Sequence, residues 1–580
     1  MSEKIFIGVA WPYANSPLHL GHIAGAYLPP DIFARYHRTK GNEVLMVSGS
    51  DQHGTPITIR AEQEGKAPAE IAGKYHQQFL ESWQKLGITF DLFTSTGTEN
   101  HARVAQDIFL TLLNKDYIYK NKVQQAYCAR CKRYLPDRYV EGTCPHCQYA
   151  GARGDQCDQC GKPLSSEELV EARCGICGSA PEFKESEHFF FRLSAFQDEL
   201  WQWVKEQKHW RPNVSNFTMR YLKEGLKDRA ITRDIDWGVP LPPEIASDYP
   251  GKRLYVWFEA VIGYLSASKE WAKATGDENK WQQFWQGDTK SYYFIGKDNI
   301  PFHTIIWPAM LMGYGGLNLP YDVPSNEYLT IEGRKLSSSR NWAVWVPDYL
   351  SRYDPDPLRY LLSVNMPDTG DTDFSWREFV RRNNDELVAT YGNLVQRVLT
   401  FIYRHFDGLV PTHSKYNIIS GYLNDLNKDM SKDCVDIDEQ SLNEIEDAKE
   451  FLFRSVGDFI SKCKFKQAML HIMNKAQETN QYLERKSPWK IIKQDRQAAA
   501  DSLYVALYVI SCLRTALYPF LPFSSEKLHR MLGFSGNIEE YGWKPTAPLP
   551  GQKLLPPEPL FTKLDEEIIA EETGRLGEGA

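Results

Sequence analysis

Long uninterrupted hydrophobic runs are missing from this chain of 580 residues. Its most apolar late stretch, "SLYVALYVISCLRTALYPF", is broken by Arg514 and Pro519, so it reads as a bundle helix and not as a membrane span. The opening "MSEKIFIGVAWPYA" is too short an apolar run for a secretory signal and lacks a small-residue cleavage pattern, which leads us to expect a cytoplasmic protein with no membrane partner. Neither GxGxxG nor GxxxxGK[ST] occurs, which excludes the dinucleotide fingerprint and the P-loop. An excess of positive charge is also absent. Lysine plus arginine number 67 against 75 acidic residues, a net of −8, which excludes a bulk nucleic-acid binder and leaves room for a local basic groove. There is no internal repeat. What is present is ordinary globular composition, 42% apolar and 24% charged, in a chain too long for one core.

The cysteines are unevenly spread. Eight of eleven fall in four CxxC pairs: Cys128/Cys131, Cys144/Cys147, Cys157/Cys160 and Cys174/Cys177. Two residues between cysteines make a turn that aims both thiolates at one metal, and Gly, Pro and Asp crowd these turns ("CPHC", "CDQCGKP", "CGICG"). Disulfides are disfavoured without a secretory signal. Eight ligands allow two closed tetrahedral Zn²⁺ sites, which hold structure and do no chemistry. Spacing alone leaves open which pairs share a metal. Cys434, Cys463 and Cys512 stand singly in helical patterns and read as buried apolar filler.

Around the knuckles the pattern alternates strand and helix. "IFIGVA" (5–10) and "EVLMVSGS" (43–50) are continuous apolar runs, as strands buried on both faces should be, with a helical pattern between them from about His22. Pro29-Pro30 should kink or interrupt that helix. A second set of runs follows the knuckles, "RLYVWFEAVIGY" (253–264) and "SYYFIGKDNIPFH" (291–303). The expected fold is therefore α/β, a doubly wound parallel (Rossmann-like) sheet split by a zinc-knuckle insertion. From about 386 strand signals vanish. Leu387, Leu394, Val398 and Phe401 mark one apolar helical face, so an α-helical bundle domain follows, to about 545–550.

Ligands of open parallel sheets sit beyond the carboxyl ends of the strands. "SPLHLGH", "GSDQHGTP", "FIGKDNIPFH" and "EGRKLSSSR" all fall there, which predicts one shared crevice. His19 and His22, three apart at a helix start, can point the same way. Gly21 between them leaves a flat place for a ring, and the helix N-terminus favours a phosphate. An isolated HxxH is more simply a capping and packing pair; the three other clusters argue for a nucleotide site.

These motifs carry a resemblance. "HLGH" is similar to the first signature of class I aminoacyl-tRNA synthetases, and "KLSSS" (335–339) stands where their second belongs. "AWPYANSPLHLGH", "GSDQHGTPI", "YVWFEAVIGY", "FIGKDNIPFH", "GRKLSSSRNWAV", "YGNLVQR" and "SPW", in that order, resemble the methionyl branch, in the form with two zinc knuckles. Small adenylyltransferases with an HxGH element lack the knuckles and the helical domain, and the branched-chain synthetases carry a larger editing insertion than fits between 119 and 240.

The resemblance implies a division into 1–118 and 241–325 (two halves of the catalytic domain), 119–240 (knuckle insertion), 326–385 (signature loop and linking domain), 386–550 (anticodon-binding domain) and 551–580 (tail). It implies ligation of methionine to tRNA(Met), the initiator included, through methionyl-adenylate formed from ATP with Mg²⁺. His19 and His22 would flank the triphosphate, with Gly21, Gly296, Asp298 (through the ribose), Lys335 and Ser339 at the nucleotide. Asp51 would hold the methionine ammonium, beside Ala10, Trp11 and Tyr13. Trp257, Ala260, Tyr264, Ile295 and His303 would line the side-chain pocket, whose aromatic walls suit a polarizable thioether. Asn393 and Arg397, i,i+4 neighbours, would meet the anticodon, with Trp489 stacking a base. Relatives with one zinc bind it through pairs matching Cys144/Cys147 and Cys157/Cys160, which implies that Cys128/Cys131 and Cys174/Cys177 join across them. The second lysine of the loop is replaced by Ser338, which leaves Lys335, with Arg340 nearby, as the expected cation. A monomer is expected, as no dimerisation domain follows 550.

Overall fold

The structure is a computed structural model that describes residues 2–157, 159–160, 162–428, 430 and 437–577; Cys434 lies outside the described residues. Five parallel strands form the central sheet: β1 (Lys4–Val9), β2 (Glu43–Ser50), β3 (Leu92–Ser95), β4 (Lys290–Gly296) and β5 (Ser325–Asn326). Their order is β5-β4-β1-β2-β3. Gly8 of β1 pairs with Tyr293 on one side and Val47 on the other. The chain therefore winds outward from β1 first one way and then the other, and the strand order reverses between β1 and β4. A crevice opens there beyond the carboxyl ends. Ile5, Phe6, Ile7 and Val9 have no exposure, as expected of a strand covered on both faces.

The helix after β1 is interrupted as the two prolines require. Residues Leu20–His22 are α-helical, Ile23–Tyr27 form a π-turn, and α1 (Leu28–Thr39) follows. Pro29 and Pro30 supply no N–H, and the Leu28 N–H reaches five residues back to the Ile23 carbonyl. The run 253–264 departs from the strand expected of it. Only Lys252–Leu254 is extended, in a two-stranded pairing with Thr232–Asp234, and helix begins at Val256. A short apolar run cannot separate a buried strand from a buried helix by periodicity.

The insertion is a long antiparallel ribbon, Ile118–Cys128 against Glu182–Phe191, with the cysteine pairs at its far end around their own small core of Leu135, Val140, Ala152 and Leu169. It docks on α2 (Thr55–Glu64) through Tyr139 and Thr58 hydroxyls 3.1 Å apart and an Arg133–Glu62 ion pair at 2.8 Å. Helices dominate from Trp376, where the Ser375 hydroxyl caps the first turn by accepting from the Glu378 N–H.

Among the described residues one helix, Arg496–Leu517, is long and apolar enough to cross a membrane, and 94% of its apolar window is buried inside the fold. Leu387, Leu394 and Val398 are buried, as are the lone Cys463 and Cys512. The tail runs back over the molecule. Glu572 accepts from the Tyr353 hydroxyl at 2.7 Å and pairs with Arg352 at 3.0 Å, and the Gly577 N–H donates to the Asn341 carbonyl at 3.0 Å.

Three parts meet at one buried carboxylate. Asp31 of α1 accepts from Arg35 Nε (3.0 Å), from Arg359 Nη2 (2.7 Å) of α3 (Pro355–Val364), and from the backbone N–H and hydroxyl of Thr89 (2.9 and 3.0 Å). Arg359 also donates to the carbonyls of Leu86, Pro519 and Phe520, and Arg35 to the Tyr518 hydroxyl. Despite complete burial, the two guanidiniums hold the Asp31 carboxyl below its ordinary range. Breaking a buried pair by removing one charge costs about 3–5 kcal/mol, because the partner is left uncompensated. Asp31→Asn is therefore expected to lower the urea midpoint by a loss of that size. Because the folded carboxyl titrates below the unfolded one, the wild-type advantage is present above the unfolded value and fades as pH falls through the folded value.

Candidate active site

Loops at the carboxyl ends of β1, β2 and β4 build the crevice, together with the loop of Lys335, which follows the strand Leu329–Ile331 of a separate small sheet. Past β1, His19 sits just ahead of the first helical turn, and its ring stacks on His22 with centroids 3.8 Å apart. The His19 N–H donates to His22 Nδ1 at 3.1 Å, so His22 carries its proton on Nε2. Burial pushes the His19 imidazole down to about 4 and His22 well below its ordinary value, the latter helped by His19. The pair is neutral at pH 7, so what it can offer a ligand is N–H dipoles and not charge. A methyl group at Gly21 would lie 2.5 Å from Leu336 Cδ1 and 3.1 Å from the His19 ring. The loop carrying Lys335 thus rests directly on the histidine turn. Backbone bonds fix it there: the Leu20 N–H donates to Val344 and the Val346 N–H to Leu18.

Lys335 ends a short strand, Arg334–Lys335, paired with Leu329–Ile331. Its ammonium lies 5.4 Å from the Tyr328 ring centroid, and the Tyr328 hydroxyl donates to Asp298 at 2.6 Å. Lys297, 3.7 Å from the same ring, is tied to Glu327 and Asp371 at 2.8 and 3.0 Å. Space above Gly296 is open: a Cβ built there meets nothing within 4 Å. Ser338 is exposed, and the side chain of Ser339 lies outside the described residues.

Asp51 follows β2 and is 4% exposed. Its N–H donates to the Pro12 carbonyl and its carbonyl accepts from Ala14, which joins this loop to the one carrying Ala10, Trp11 and Tyr13. Burial, then the negative charge of Glu259, pushes the Asp51 carboxyl up to about 8. Glu259 itself is fully buried between His53 Nδ1 (2.8 Å) and His101 Nε2 (2.5 Å), which hold it down at about 2. From sequence, no role is assigned to His53, Glu259 or His101. A carboxylate inside the apolar run "YVWFEAVIGY" was the available signal, since buried charges need partners. Nothing in the sequence marked Tyr328.

Trp257, Ala260 and Tyr264 lie along one helical stretch. Trp257 Nε1 donates to the Tyr13 hydroxyl at 3.1 Å. His303 Nδ1 meets the Asn299 carbonyl at 2.9 Å and must donate, so Nε2 accepts from the Tyr264 hydroxyl at 2.7 Å. Tyr264, Ile295 and His303 form a closed floor, each at most 4% exposed. A cavity lies behind Trp257 and Phe302, with Arg229 and Arg233 on its wall.

In the helical part, Asn393 and Arg397 line an open groove with Asn480 and Glu484. Arg397 pairs with Glu484 at 2.7 Å and lies 4.4 Å from the Trp489 ring centroid. In the insertion the eight thiols form two groups, Cys128/Cys131/Cys174/Cys177 and Cys144/Cys147/Cys157/Cys160, with the Sγ atoms of each group within 4.8 Å of one another. Cross-pair Sγ–Sγ distances are 3.4 and 4.0 Å in the first group and 3.6 and 4.0 Å in the second. A tetrahedron with ligands at about 2.3 Å has edges of roughly 3.8 Å, so the donor sets fit a four-coordinate metal and not disulfides.

Comparison with known proteins bears on this geometry. A family model described as "tRNA synthetases class I (M)" matches residues 5–399, and one described as "Anticodon binding domain of methionyl tRNA ligase" matches 438–579. The chain is 64% identical over 577 residues to a methionine--tRNA ligase of Dehalococcoides mccartyi (strain CBDB1), covering 100% of both. It is 50% identical to one from Thermomicrobium roseum, covering 99% of each. The fold is that of a Mycobacterium tuberculosis methionyl-tRNA synthetase solved in complex with methionyl-adenylate, with a TM-score of 0.77 at 24% identity, over 96% of this chain and 99% of that one.

Trp11 is seated by two glycines. A Cβ at Gly49 would lie 2.3 Å from its ring and one at Gly263 2.6 Å. Gly263→Ala is therefore expected to destabilise by about 1–3 kcal/mol, the range for overpacking a filled core, measured by chemical denaturation.

Proposed function

The chain belongs to the methionyl branch of the class I tRNA synthetases, and we propose that the crevice between β1 and β4 is where it makes and consumes methionyl-adenylate. Its reaction is the ATP-driven ligation of methionine to tRNA in two steps. The observation that carries the site assignment is the seating of Leu336 on Gly21, which puts the loop of Lys335 against the two histidines.

Methionine binds with its ammonium at Asp51 and its thioether among Ala10, Trp11, Tyr13, Trp257, Ala260, Tyr264, Ile295 and His303. Mg-ATP lies over Gly21 and Gly296, its ribose at Asp298 and its phosphates between the histidines and Lys335, with Ser339 near them. The methionine carboxylate attacks the α-phosphate and pyrophosphate leaves. Neutral His19 and His22 stabilise the charge growing on phosphate oxygens by donated hydrogen bonds, and Lys335 supplies the mobile positive charge. Ser338 adds a hydroxyl donor and no charge. Asn393, Arg397 and Trp489 read the anticodon of tRNA(Met), including the initiator, by stacking and hydrogen bonding.

Two zinc ions occupy the two cysteine tetrads, in the nested pairing above. Such closed thiolate sites contribute folding energy and leave no open position for chemistry. The domain limits follow the division implied by the resemblance, and the enzyme works as a monomer in the cytoplasm.

Pyrophosphate exchange tests this reading directly. Methionine alone among the twenty amino acids should support it. Lys335→Ala should lower the exchange rate by roughly a hundredfold, a scale set by oxyanion-type stabilisers, and Ser338→Ala by much less; the reverse order would transfer the role to the serine. Methionine binding should also depend on pH. The ammonium needs Asp51 ionised, and this carboxyl titrates near about 8. The KM for methionine is expected to fall roughly tenfold from about pH 6.5 to about pH 8, and Glu259→Gln should flatten that fall by removing the charge that raises Asp51. Steady-state exchange across pH reads both.

A further inference from the structure

One aromatic side chain joins the two ends of the nucleotide site. Tyr328 lies two residues past β5 and immediately before Leu329–Ile331, so it stands where the central sheet hands over to the small sheet that carries Lys335. Its backbone is pinned on both sides. The N–H donates to Asp371 Oδ1 at 2.9 Å, and the carbonyl accepts from the Thr372 N–H at 3.0 Å.

The face that this ring shares follows from the hairpin. Glu332 and Gly333 both have positive φ, 48° and 71°, as a type I′ turn requires. A two-residue turn of this kind fixes the register, and Lys335 stands directly across from Thr330. Side chains two apart along an extended segment share a face, so Tyr328, Thr330 and Lys335 stand on one side. The Lys335 ammonium therefore comes to 5.4 Å from the Tyr328 ring centroid. Lys297 closes on the same ring at 3.7 Å, held by Glu327 and Asp371.

The hydroxyl of this ring donates to Asp298 Oδ1 at 2.6 Å. Asp298 is exposed, in the turn after β4, and among the described residues Tyr328 is the one donor to its carboxylate. An ionised carboxylate accepts several hydrogen bonds, so the phenol leaves room for a ligand hydroxyl. An exposed carboxylate without such a tie must be ordered when a ligand binds. Held by a phenol, it is already in place.

We propose that Tyr328 is a positioning residue for ATP: its hydroxyl aims Asp298 at a ribose hydroxyl, and its ring is the seat from which Lys335 reaches the phosphates. The proposal rests on the reading of Asp298 as the ribose contact and of Lys335 as the phosphate contact. Tyr328 acts through these two side chains.

Pyrophosphate exchange by the full-length enzyme separates the two contributions. Tyr328→Phe keeps the ring and removes the hydroxyl. It is expected to raise the KM for ATP roughly tenfold, the scale of a hydrogen bond to a charged group, with kcat within about twofold of wild type. The wild type is expected to discriminate against 2′-deoxy-ATP or 3′-deoxy-ATP, and this discrimination should shrink by about the same factor in Tyr328→Phe. A merely structural tyrosine would raise the KM of ATP and of both deoxy analogues alike, and that result overturns the proposal. Tyr328→Leu also removes the ring. It should lower kcat by a further factor of about three, the scale of an exposed cation–π contact, and this further loss should vanish in a Lys335→Ala background. Persistence of the ring-dependent loss in that background, or its absence in the wild-type background, overturns the proposal as well. A wild type that uses ATP and both deoxy analogues equally, with an Asp298→Ala variant that matches it, would instead defeat the underlying reading of Asp298. Circular dichroism confirms that each variant is folded before rates are compared.

Discussion

A single carboxylate, Asp31, sits where the catalytic sheet, the helix Pro355–Val364 and the turn at Pro519–Phe520 meet, and the relative placement of these parts depends on it. It belongs to the same helical segment that begins at the histidine turn, a few residues downstream of His22. The geometry of the phosphate site and the seating of the helical domain are therefore set from one rigid element. Two guanidiniums around one buried carboxylate are expensive to desolvate, and their retention here fits a role in register more than in raw stability. The π-turn between His22 and Leu28 adds to this by letting the helix change pitch before it reaches the charged cluster.

The electrostatics of the crevice divide into a fixed part and an exposed part. The fixed part is buried: two imidazoles kept neutral by burial, one carboxyl, Asp51, pushed up by burial and then by a second carboxylate, and that carboxylate, Glu259, ionised between two histidines. The second part is Lys335 on an exposed two-residue strand, which under the proposed function supplies the moving charge. The buried Glu259 carries a desolvation cost that its two histidine partners offset. Lys335 rests near the Tyr328 ring, whose hydroxyl engages Asp298, so the two residues are linked through one side chain.

Much of this was legible in the sequence. The parallel sheet followed from continuous apolar runs at "IFIGVA" and "EVLMVSGS", the proline interruption from Pro29-Pro30, the metal tetrads from CxxC spacing, and the crevice from polar clusters at strand ends. The failures have physical causes. "RLYVWFEAVIGY" is buried all round, so neither period 2 nor period 3.6 stands out, and helix won at Val256 where strand was expected. The Glu259–His53–His101 cluster was unreadable because its members come from three separate elements, and only folding brings them within hydrogen-bonding distance. The nesting of the cysteine pairs is likewise a property of the ribbon that carries them and not of the spacing.

The backbone of Asn341 receives a hydrogen bond from Gly577, and Arg352 and Tyr353 are gripped by Glu572. The Lys335 loop, already held on the histidine turn by the Leu20–Val344 and Val346–Leu18 backbone bonds, therefore gains further partners from a stretch much later in the chain, which a nascent chain can supply only after the loop itself has emerged.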